Sequence, residues 1–169
     1  MLDLLAPFRS GFGGGVLRDS DGTWLCGFSR FIGISDNLHA ELLAIMHGLK
    51  LSWDKGHRNV ICYSDSFHAI KLIQALPNVW HVYATIIRNI NDLLNLPWNV
   101  HLTHTFREAN ACANFLANHG ANHNSSWCSL ETPLPSLEAL LLADASRVQF
   151  LRSQSSFLSL FFVFSIYEK

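Results

Sequence analysis

The sequence predicts an α/β fold: a mixed sheet flanked by helices. Three features carry this expectation. An Asp-Gly turn separates two β-prone runs near the start, long stretches hold apolar residues at helical spacing, and short strand-like runs fall before and between them. The resulting order is hairpin, helix, strand, helices, strand, helix. A chain of 169 residues suits one domain, and its 49% hydrophobic content is enough to bury a core rather than stay disordered.

The elements follow in order. Gly11–Arg18 and Thr23–Phe31 flank Asp19-Ser20-Asp21-Gly22, a strong hairpin signal. Leu38, Leu42, Ile45, Met46, Leu49 and Trp53 keep one helical face over Leu38–Trp53, and Gly56 stands where a helix stops. Asn59–Ser64 is β-prone and apolar on both faces, as a strand covered on both sides should be. Phe67–Leu76 reads as a helix stopped by Pro77, and His81–Leu96 as a longer one stopped by Pro97. Trp98–Thr105 alternates, with His104 on the apolar side. Asn110 is placed as the N-cap of a helix running to Gly120. A helical stretch is expected over Leu137–Ala145. The expected divisions are an atypical start over 1–10, the domain over 11–121, and an extension with an apolar tail over 122–169.

Composition narrows the function. Twelve Lys and Arg against 13 Asp and Glu give a formal charge of −1, unsuited to gripping nucleic acid by bulk charge but compatible with a few phosphate contacts. Arg18, Arg30, Lys55, Arg58, Lys71 and Arg107 are scattered and read first as solvated surface. Cys26, Cys62, Cys112 and Cys128 form no C-x-x-C pair, so buried reduced thiols are expected. No secretory leader is expected, hence an intracellular location. The apolar run Phe157–Tyr167 is too short for a bilayer, which takes about 20 residues.

Four residues are candidates for chemistry. Glu41 borders the apolar helix stripe; the ordinary alternative is a rim glutamate whose head reaches water. Asp65 ends the inner strand, where open sheets gather ligands; it could equally cap the next helix, although Ser66 could do that instead. His104 ends the last strand and Asn114 lies in the first turns of the last helix, and each could be an ordinary hydrogen-bonded polar group. Together they bring carboxylates, an amide and a proton carrier toward one sheet edge, as hard cations and phosphodiester hydrolysis require. His119 and His123 have i, i+4 zinc-ligand spacing, but Gly120 between them is expected to end the helix. Gly13-Gly14-Gly15 opens no helix and is not a phosphate loop.

The consecutive motifs Ala40-Glu41-Leu42, Tyr63-Ser64-Asp65-Ser66 and His104 followed by Arg107-Glu108-Ala109-Asn110-Ala111-Cys112-Ala113-Asn114 resemble those of ribonuclease H type 1. The wording GFGGGVLRD, GTWLCGF and HAELLAI is similar to plant ribonuclease H-like proteins related to non-LTR retroelements, over Gly11–Gly120. The resemblance implies a ribonuclease H-like fold and magnesium-dependent endonucleolytic hydrolysis of RNA in RNA–DNA hybrids, with two Mg2+ held by four acidic residues. It implies Glu41 and Asp65 as metal ligands, Asn114 in place of the fourth acid, His104 as the proton-transfer histidine, and Asn110 as a substrate contact.

Two departures matter. Asn114 carries no charge, and a D-G-S strand with the first aspartate is not found ahead of the glycine run; Asp3 is the weak substitute. Impaired activity is therefore expected, and the rival function is a non-catalytic nucleic-acid or protein-binding remnant. In the family that first strand is central, so the fold is expected to lack it. The slot could be filled by a stub at Met1–Leu5 or by the tail Phe157–Ile166, or left open in a poorly folded, aggregation-prone chain. Oligomeric state is not legible.

Overall fold

The structure is a computed structural model that describes residues 9–76, 78–106, 111–123, 126–143 and 160–168. Its first unit is the hairpin of β1 (Arg9–Arg18) and β2 (Trp24–Ser35). Asp19 sets the turn: its carboxylate accepts from the Asp21 and Thr23 amides, and Gly22 takes φ 78°, a left-handed value that suits glycine. Helix α1 (Asn37–Asp54) starts at Asp36, whose side chain caps the His39 amide at 2.8 Å. It ends ahead of Gly56, at φ 85°. Strand β3 (Asn59–Ser64) matches its expected bounds.

Helix α2 (Phe67–Gln74) is shorter than its apolar pattern, because Ala75 is already extended. Helix α3 spans Ala84–Leu94 rather than starting at His81, since His81 and Tyr83 are spent on a turn in which the Tyr83 amide donates to His81 Nδ1. Trp98 does not open β4 (Asn99–His104); its indole N–H instead donates to the Leu93 carbonyl at 2.7 Å, tying the end of α3 to the strand. Helix α4 (Ala111–His123) runs past Gly120. The expected stop is thus corrected, and the reason is packing: a Cβ on Gly120 would lie 2.9 Å from Ser29 Cβ, so this glycine admits β2 to the helix surface. The sheet's outer strand is β5 (Cys128–Leu130), followed by a 3-10 turn at Pro135–Leu137 and a helical stretch over 138–143.

The sixth strand, β6 (Leu160–Glu168), comes from the apolar tail. The sheet order is β4-β3-β6-β1-β2-β5, so the tail lies in its middle, parallel to β3 and antiparallel to β1. Of the three expected outcomes for the central slot, this is the tail insertion; the Met1–Leu5 stub and Asp3 fall outside the described residues. A segment expected as an extension therefore supplies ladder partners to strands on both sides, whose backbone groups would otherwise be unpaired.

Helices cover both faces. Leu42, Ile45 and Leu49 of α1, with Ile73 of α2 and Ile90 of α3, close over Leu17, Cys26, Phe28 and Cys62. On the other face Cys112 and Leu116 of α4 meet Val16 and Leu137. Cys26, Cys62 and Cys112 are buried and all four cysteines are free, as expected. Among the described residues, no helix is long and apolar enough to cross a membrane.

Candidate nuclease site

Backbone register locates the candidate residues. Ser64 of β3 pairs with Phe164 of β6, and Phe164 with Gly15 of β1. One step toward the carboxyl end of β3, Asp65 comes level with Ser165, which pairs with Gly14. A Cβ on Gly14 would lie 2.6 Å from the Ala113 carbonyl and 2.5 Å from the Ala117 amide, so the start of α4, with Asn114, packs beneath that level. The neighbouring Gly13 faces α1 instead: its Cβ would lie 3.4 Å from Ala44, one turn beyond Ala40-Glu41. Helices on opposite faces thus bring Glu41 and Asn114 toward the level at which β3 delivers Asp65.

His104 joins from the other side. It pairs with Ser64 across β3 and β4, and the Thr105 amide donates to the Ser64 carbonyl at 3.0 Å, extending the ladder one step beyond the strands. Its ring is exposed, with edge contacts to Phe67 at 5.5 Å and Phe106 at 6.0 Å. Asp65 is not the helix cap. Ser66 holds that role, its hydroxyl accepting from the Ala69 amide. Glu41 is half-buried, with Oε2 shut off from solvent. Its neighbours Ala40 and Leu42 are fully covered, so it is set in the packed stripe rather than on the open rim. Asn114 is half-buried, and Asn110 lies outside the described residues.

Sequence reasoning missed the support beneath this edge. The Tyr83 hydroxyl donates to Asp36, the residue that caps α1, and the Tyr83 ring stacks on His39 at 5.2 Å. Burial first, and then Asp36, push the Tyr83 phenol up to about 12, so it stays a donor. An Asp two residues before Leu38 is a legible cap signal; its partner 47 residues away is not.

The set contains two carboxylates, one amide oxygen and one exposed imidazole. Among the described residues, no group of three His, Cys, Asp or Glu could hold a metal ion.

A six-stranded mixed sheet with helices on both faces is the ribonuclease H-like class of fold. The chain belongs to the reverse transcriptase-like family, which is ribonuclease H-like and matches over residues 8–120, more than half of the chain. It is also similar to an Arabidopsis thaliana protein that bears the name "Putative ribonuclease H protein", with 31% identity over 131 residues. That match covers 78% of this chain but only 21% of the relative's length. Ribonuclease H-like families bind nucleic acid and generally use divalent metals.

Proposed function

We propose that the chain is a ribonuclease H-type domain that binds RNA–DNA hybrids and cleaves their RNA strand only weakly. The observation that supports this reading is the register at one sheet end: Asp65 follows β3 beside His104's pairing with Ser64, Gly14 takes α4 near Asn114, and Gly13 takes α1 one turn from Glu41. The intended chemistry is endonucleolytic hydrolysis of a phosphodiester. Recognition rests on 2′-hydroxyls and groove shape rather than base sequence. This suits a chain of net charge −1 that cannot rely on bulk attraction.

The donor set fits one hard cation better than two. Two Mg2+ carry four positive charges, whereas Glu41 and Asp65 bring two negative ones. Asn114 adds an amide oxygen, a weaker ligand than a carboxylate. Bound there, Mg2+ would activate water and stabilise the leaving 3′ oxygen. Glu41 and Asp65 would hold the cation, Asn114 would add an amide oxygen with water filling the remaining positions, and the exposed His104 imidazole would exchange a proton with solvent at the product side. The residue level with Asp65 on the central strand is Ser165, a serine where the family resemblance implies an aspartate. That favours a second reading, a nucleic-acid-binding remnant without turnover.

Labelled RNA–DNA hybrid incubated with Mg2+ or Mn2+ separates the two. The proposal expects slow, metal-dependent cleavage of the RNA strand that Glu41→Gln abolishes. Hybrid binding with no cleavage at any metal concentration selects the remnant. Robust cleavage by the unmodified chain would overturn the impairment, and Asp3 would become the suspect for the first ligand. No affinity for hybrid at all overturns both readings.

A further inference from the structure

The nuclease reading leaves unused a cavity on the α1 face, between α1 and the β5 edge, whose largely apolar wall carries charged groups. Arg30, His47, Lys50, Leu51, Asp54 and Trp127 line it, and it holds about 250 Å3. Sites for drug-sized ligands run to about 300–1,000 Å3, so this one takes a ligand no larger than one nucleotide unit, with part of it left in solvent.

Its parts are held in place from behind. Trp127 stacks on the buried Phe28 at 5.4 Å and 11°, yet remains 43% exposed. Arg30 lies 5.9 Å over the Trp127 ring and donates to His47 Nε2 at 2.7 Å. A guanidinium has only donors, so the accepting ring nitrogen is unprotonated. Burial, then Arg30 and Lys50, depress His47 from the usual 6.5 to about 4, which keeps the ring neutral at physiological pH. The only formal charges lining the cavity are then Arg30, Lys50 and Asp54, a net positive charge beside an indole wall. Lys50 and Asp54 form an exposed ion pair at 3.1 Å, which leaves the Arg30 charge in excess.

We propose that this cavity binds one nucleotide unit, its base against Trp127 and its phosphate on Arg30 and Lys50. An aromatic wall beside a fixed guanidinium suits a flat, anionic ligand: bases pack on indole rings, and phosphate takes forked hydrogen bonds from arginine. Asp54 accepts from a ribose hydroxyl or an exocyclic amine. The unit could be a free mononucleotide or part of a single strand, since the recognising chemistry is the same.

The test is a titration of the full chain with AMP, oligo(dA) and inorganic phosphate in turn, following the Trp127 indole N–H by NMR. Saturable shifts of that signal with AMP or oligo(dA) are expected. Arg30→Gln, which keeps a donor but loses the charge, should weaken binding at least about tenfold, the scale of a lost charged hydrogen bond. Lys50→Ala at the exposed rim should weaken it without altering the fold. Tighter binding of oligo(dA) than of AMP assigns the site to a strand, and equal binding to a free nucleotide. No shift with either nucleotide, equal shifts with phosphate alone, or affinity unchanged by both variants overturns the proposal. The readout is binding at Trp127, so it stands apart from whether hybrid is cleaved.

Discussion

The two faces of the sheet are packed by different means. On the α1 face, branched side chains fill the space: Leu42, Ile45 and Leu49 lie against Leu17, Phe28 and Cys62. On the α4 face, Leu116 and Cys112 pack against Val16, but glycines also bring helix and strand into close contact. Gly14 lies directly against the Ala113 and Ala117 peptide groups, and Gly120 returns the favour by admitting Ser29. Side-chain packing leaves room for rotamers to adjust, whereas backbone contact leaves none. The candidate site takes one group from each face, Glu41 from the tolerant side and Asn114 from the rigid one. The two middle strands, β1 and β6, each meet both helices.

The largest effect should come from removing what the faces share. Deleting residues 160–169 strips partners from both β1 and β3 and uncovers both helix layers. Loss of cooperative unfolding in urea and aggregation are expected, since a domain has only about 5–15 kcal/mol in hand. If the shortened chain melts unchanged, β6 is an appendage and the comparison fails.

Adjacent glycines give the sharper contrast. In Gly14→Ala the new methyl meets peptide atoms at 2.5 and 2.6 Å, so α4 must move. In Gly13→Ala it meets the end of the Ile32 side chain at 2.8 Å, which can turn aside, and Ala44 Cβ at 3.4 Å. Overpacking costs about 1–3 kcal/mol, and Gly14→Ala should lie at or above the top of that range with Gly13→Ala near the bottom. Chemical denaturation of the pair measures it. Equal losses would show that the faces are alike.

The site itself should respond less in stability than in metal affinity. Asn114→Asp and Ser165→Asp each return a carboxylate to the level of Asp65. Each is expected to tighten Mg2+ or Mn2+ binding at least about tenfold, as one added charged contact would. Without metal, each should lower the melting temperature through repulsion among the acids. Calorimetric titration checks the first effect and thermal melts in chelator the second. A melt unaffected by chelator in the double variant would place these residues apart from Glu41 and Asp65.

Much of this was legible because it is local. Asp19 to Gly22 dictates its own hairpin, and Asn59–Ser64 is a strand by composition alone. The motif order named Glu41, Asp65, His104 and Asn114 as candidates before any geometry. What was not legible depends on partners far along the chain. Gly120 reads as a helix stop until Ser29 is known to press on it. The tail reads as an extension, because β-propensity says that a segment wants a sheet but not which slot is open. Arg30 read as scattered surface and His47 and Trp127 drew no signal, since nothing in spacing joins a strand, a helix and a loop.

The smallest effect concerns the Arg30 and His47 pair, and its sign follows from proton binding. His47 sits near 4 in the folded chain against 6.5 when unfolded. Between those values the unfolded state binds more protons, so stability rises with pH through that window and is flat above it for this group. On acidification from 6.5 toward 4 the contribution is lost, and protonated His47 must also release Arg30, since both would then be donors. Carboxylates titrate near the lower limit as well, so the wild-type slope alone does not isolate the histidine. His47→Gln does: its amide oxygen still accepts from Arg30 but takes no proton. The variant should lose less stability than the wild type between pH 6.5 and pH 4, with the two similar above 6.5. Urea unfolding across that range measures the difference. Parallel curves would mean that His47 titrates normally and that Arg30 is not held by a neutral ring.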